Sequence, residues 1–165
     1  MQSNLPKNKI LAFLIYGLIF LPFTTPWYRF LFLLLGLMLG LVLLIIDERV
    51  LHHKYNDQLV TDNEDGNSKK SVFLATRSSL FLLVLAPLAI FVVTSTSSAI
   101  GIGFVLGLVL GLVHEMWLFR NLTKKFSNRF LSQLKVNSTA TLVTKITLGY
   151  SLFFFLISLW TLLKR

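Results

Sequence analysis

Leu35-Gly36-Leu37-Met38-Leu39-Gly40-Leu41-Val42 returns 71 residues further on as Leu106-Gly107-Leu108-Val109-Leu110-Gly111-Leu112-Val113. Working outward from that run, residues 11–60 align with 82–131 without a gap, and Arg49 with Arg120 and Lys54 with Lys125 match beyond the apolar ends. Leucine matches carry little weight in so apolar a chain. The glycine and basic pairs carry more, because such residues are scarce in it. Self-similarity at one spacing signals a repeated unit, and the unit here is a helical hairpin. The expected fold is an all-α integral membrane protein with about five transmembrane helices, two tandem duplicated hairpins plus one C-terminal helix.

Composition leads to the same class. The 165 residues are 55% hydrophobic and only 14% charged, with a mean hydropathy of +0.72, which leaves too little polar surface to cover a soluble globule of this size. Five apolar stretches stand out, at about 10–25, 27–46, 79–95, 99–119 and 140–163. A helix crosses the hydrocarbon with about 20 residues, because the segment must satisfy its own backbone polar groups. The second, fourth and fifth stretches meet that length comfortably. The first and third are shorter and carry Pro22 and Pro87; each reads as the first arm of a hairpin, with a re-entrant first segment as the alternative. Lys7 and Lys9 precede the first run in the manner of a signal peptide, but no small-residue cleavage site follows at Thr24-Thr25-Pro26, so an uncleaved first helix is expected.

The net charge of +9 reads as topology. With the N-terminus in the cytoplasm of a plasma (inner) membrane, thirteen of the sixteen lysines and arginines fall on the cytoplasmic side, as the positive-inside rule requires. Arg29, Lys164 and Arg165 fall on the far side with the C-terminus, and the terminal pair dissents from the rule. A nucleic-acid partner would need basic and aromatic residues on a soluble fold, which this chain lacks. Without cysteine, disulfide and thiolate chemistry are excluded.

Five segments follow: 1–55 as the first hairpin, 56–78 as a polar cytoplasmic loop, 79–119 as the second hairpin, 120–138 as a basic amphipathic interfacial segment and 139–165 as the fifth helix. The loop's Asp65-Gly66 step fails as a calcium motif, since Thr61 and Val72 would stand at ligand positions one and twelve. In the second connection Phe119, Leu122, Phe126, Phe130 and Leu134 recur every three or four residues among Arg120, Lys124, Lys125, Arg129 and Lys135. That pattern predicts a helix lying on the membrane surface, with residues 119–135 meeting anionic lipid or an acidic partner.

Gly36 and Gly40, and Gly103, Gly107 and Gly111, stand four apart and so line helix faces that let another backbone approach closely. Closure of these seams within one chain is favoured over closure between chains. The duplication breaks where Leu43-Leu44 becomes His114-Glu115. An ionised group among apolar neighbours costs about 3 kcal/mol at mid-bilayer and usually faces a partner or water. Lys145 enters the last helix at a matching depth, so a Glu115–Lys145 bridge is expected to dock that helix. Glu48, His52 and His53 belong to the same end, and carboxylate with imidazole from two helices is a donor set that suits zinc or iron. Neither Glu-x-x-His nor His-Glu-x-x-His spacing occurs, no catalytic motif is present, and no cofactor is expected. The functional expectation is a small non-catalytic subunit or assembly factor with a protein partner or a homo-oligomer. A proton- or ion-coupled carrier using Glu115 comes second, and a metal-dependent membrane enzyme third.

Overall fold

The computed structural model describes residues 5–20, 27–61, 76, 78–131 and 139–163. Among them the chain forms six helices and no strand: α1 (Leu5–Phe20), α2 (Trp27–Thr61), α3 (Ser79–Ser95), α4 (Ala99–Phe119), α5 (Thr123–Phe130) and α6 (Ala140–Leu163). Three of them, α2 over Trp27–Asp47, α4 and α6, are long and apolar enough to cross a membrane. α3 is a shorter apolar helix of 17 residues, and α1 has 16.

Hydroxyl side chains set the helix starts. Ser78 Oγ accepts the Phe81 N–H at 3.1 Å and Ser98 Oγ the Gly101 N–H at 3.3 Å. Thr139 Oγ1 accepts the Leu142 N–H at 3.3 Å. Each satisfies a backbone donor that the first turn leaves unpaired. α3 stops at Thr96, whose N–H and hydroxyl both bond the Val92 carbonyl, and three residues later α4 begins.

α4 is the axis of the molecule. Two thirds of its span is buried (67%), against 22% of α6, and it touches every other described helix. Its closest neighbour is α2, which runs parallel to it. A Cβ added to Gly36 would strike the backbone of Ile100 and Phe104, and one on Gly40 would lie 2.6 Å from the Phe104 carbonyl oxygen and 2.9 Å from the Leu108 nitrogen. From the other side, a Cβ on Gly103 would strike the Leu33 carbonyl, and one on Gly107 would lie 2.6 Å from the Leu37 oxygen. At Gly111 the intruding atoms belong to the side chains of Leu44 and Phe13. No side chain fits between these backbones, so the helices meet by direct backbone contact, where dispersion acts at its shortest range. α1 closes over this pair through Phe13, and α3 and α6 cover the rest of α4. Outward, α1, α3 and α6 present apolar faces that include Leu14, Leu18, Leu83, Phe91, Leu152 and Phe155.

Two segments depart from the sequence expectation. α2 continues to Thr61, six residues past the expected loop boundary. Residues 48–61 hold no glycine or proline, and polar composition alone does not end a helix that good helix formers sustain. The amphipathic connection is also folded inward. Phe126 and Phe130 are 0% exposed, with ring centroids 4.9 Å apart, and α5 packs on α4 and α6. Two of the five residues expected on the lipid-facing side, Phe126 and Phe130, are thus buried in protein. Leu122 stays exposed, and Leu134 and Lys135 lie outside the described residues.

Candidate functional site

The His114-Glu115 pair is built on the C-terminal part of α4. Glu115 is 1% exposed, and His114, half-buried beside it, has its Nε2 buried. The position is buried because α4 is covered on nearly every side there, with Leu112, Val113 and Met116 also in the core.

Lys145 is not brought to Glu115. It is exposed on α6, and among the described residues the expected ion pair does not form. The reason is angular. The buried face of α6 carries Val143 and Thr147, each two residues from Lys145, and two residues at 3.6 per turn rotate a side chain about 200°. Depth differs too: α6 runs antiparallel to α4 with Ser151 against Trp117, so Lys145, six residues before Ser151, lies beyond the level of Glu115 toward the C-terminal end of α4. Glu48, His52 and His53 ride on the extension of α2, with side chains outside the description. Among the described residues no group of three or more His, Asp or Glu side chains is placed to hold a metal ion.

Polar contacts between helices add what sequence reasoning missed. Ser158 donates its proton to the Phe154 carbonyl at 2.8 Å, so in the 2.6 Å Tyr16–Ser158 contact the tyrosine is the donor. The Tyr16 ring also packs on Phe154, with centroids 5.1 Å apart. Trp117 Nε1 donates to Ser151 Oγ at 2.8 Å, and Ser151 in turn donates to the Thr147 carbonyl. The Arg120 guanidinium sits 4.5 Å over the Trp117 ring, a cation–π contact. Tyr150 donates to the Leu82 carbonyl, next to Leu83, whose carbonyl loses its helical donor to Pro87. At the same end Asp47 Oδ2 accepts both the Thr76 N–H, at 3.1 Å, and the Thr76 hydroxyl, tying α2 to the residues just before α3.

Tyr16, Trp117 and Tyr150 were the available signal, since an aromatic with a polar tip inside an apolar run usually finds a partner when buried. The Tyr16→Phe variant is expected to lose about 0.6–1.7 kcal/mol, the range for one interhelical hydrogen bond in a membrane protein, while keeping the Phe154 contact. Reversible unfolding in mixed micelles measures it, and an unchanged midpoint would show that the bond contributes nothing.

This architecture defines the class: an all-helical protein with three helices long and apolar enough to cross a membrane. No protein-family model matches the chain, and neither a curated protein nor a solved structure does.

Proposed function

We infer that the chain is a small non-catalytic membrane scaffold, a subunit or assembly factor of a membrane complex, crossing the bilayer five times as two duplicated hairpins plus a C-terminal helix. One observation carries this reading: the polar side chains inside the helices are used to fasten helix to helix, as in Tyr16–Ser158, Trp117–Ser151 and Tyr150–Leu82. A framework fastened this way suits holding a partner. The parallel seam between α2 and α4, with glycines from each helix against the backbone of the other, supports the duplication, since two hairpins of equal orientation relate by an axis along the membrane normal. The glycine pairs then act as the packing motif of the repeat.

For the partner, the extension of α2 is the favoured handle. It runs from Glu48 to Thr61 beyond the apolar span, about 21 Å at 1.5 Å per residue, on the side proposed as cytoplasmic. A photo-crosslinking amino acid at Tyr55 is expected to trap one discrete second polypeptide in native membranes, while the same group at Ile15, on the exposed face of α1, traps lipid. Self-crosslinks alone at Tyr55 would remove the subunit reading.

The buried carboxylate of Glu115 favours a second reading, an ion-coupled carrier, because an ionisable group inside a membrane helix bundle is costly and commonly functional. Sealed vesicles separate the two. Under the scaffold reading Glu115→Gln alters assembly and no flux exists to lose; under the carrier reading a measured proton or cation flux disappears while the protein assembles.

A further inference from the structure

At the end of the bundle where α3 turns into α4 lies an open notch of about 250 Å³, walled by Arg29 of α2, Ser95, Thr96 and Ser97 of the turn, and Thr161 of α6, over an apolar floor that includes Ile102. Arg29 makes no ion pair or hydrogen bond among the described residues, and neither do the hydroxyls of Ser95 and Ser97. Arginine in the first turn of a helix stands against the helix dipole, and neither α2 nor α4, whose N-termini both point to this end, has an acidic residue in its first turn. Among the described residues no acidic side chain stands at this end to offset that positive charge. Trp27, Tyr28 and Trp160, all about half exposed or more, ring the same end as an interfacial aromatic belt does, so the notch sits at headgroup depth. In sequence, the far-side basic pair Lys164 and Arg165 follows shortly after Thr161.

We propose that this notch binds the phosphodiester of a membrane phospholipid, with the Arg29 guanidinium on the phosphate and the Ser95 and Ser97 hydroxyls donating to its oxygens. Arginine offers a planar pair of donors to such an oxyanion. The volume falls below the range of drug-sized pockets, about 300–1,000 Å³, and fits a headgroup fragment whose acyl chains remain in the bilayer. The site rests on the membrane placement of the helices and is independent of the scaffold role.

Native mass spectrometry of the full chain, released from mild detergent after addition of phosphatidylglycerol, tests the assignment. The parent chain is expected to retain one lipid, Arg29→Gln to weaken that retention about tenfold, as loss of one charge-assisted contact implies, and Ser95→Ala with Ser97→Ala to weaken it several-fold. Lys145→Gln, at the opposite end of α6, leaves it unchanged. Equal retention by the parent, Arg29→Gln and the double serine variant overturns the site. Arg29-dependent binding of inorganic phosphate with no lipid retained overturns the lipid assignment and leaves a free anion as the ligand.

Discussion

Gly103→Ala is expected to destabilise the protein by about 2–3 kcal/mol, at the upper end of the range for inserting a methyl group into a filled interface. For a chain of this size that lowers the melting temperature by roughly 4–12 °C. The added Cβ meets the carbonyl and Cα of Leu33, which cannot turn aside as a flexible side-chain end can, so α2 and α4 must separate along their length. Gly107→Ile is expected to prevent recovery of folded protein, because Leu37 backbone atoms stand 2.6–3.2 Å from the first added carbon alone. Gly149→Ala is the matched control. Nothing lies within 4 Å of its added Cβ, and alanine in place of glycine inside a helix gains up to about 1 kcal/mol. A thermal series in detergent in which Gly103→Ala and Gly149→Ala behave alike would contradict backbone contact between the two helices.

Phe126→Ala is expected to cost about 3–5 kcal/mol, the range for a fully buried phenylalanine, and to loosen α5 from α4 and α6. Trypsin reads the loosening directly, since Lys124, Lys125 and Arg129 flank the residue and are cleaved from the opened form. A helix whose phenylalanines merely entered lipid would leave the melting temperature of the bundle untouched by this substitution. That outcome would return α5 to the membrane surface.

The contrast at α5 shows why part of the structure was legible in the sequence and part was not. Apolar runs and helix-starting hydroxyls are local, so α3, α4 and α6 occupy the stretches 79–95, 99–119 and 140–163, and Ser78 and Ser98 stand at their starts. The spacing of Phe126 and Phe130 is equally local, yet it fits a lipid surface and a protein groove alike; what decides is whether α4 and α6 leave room, and that depends on the whole bundle. Lys145 illustrates the same limit for the candidate site. Its depth depends on the level at which Ser151 meets Trp117, and the face it presents on which neighbour covers Val143 and Thr147. Tyr16 and Ser158, 142 residues apart in sequence, meet only because α1 and α6 are brought together in the folded bundle.

The parallel α2–α4 seam within one chain is the claim on which the rest stands, and the absence of native cysteine makes it directly measurable. Leu37→Cys combined with Phe104→Cys places one thiol on each helix at the level where Gly36 meets Phe104 and Gly107 meets Leu37. In native membranes, from cells making two chains of different mass, a short thiol crosslinker is expected to join peptides of α2 and α4 from the same chain, leaving a monomer on the gel. Crosslinked dimers of mixed mass, with no joined peptides within a chain, would place the seam between molecules and contradict the fold.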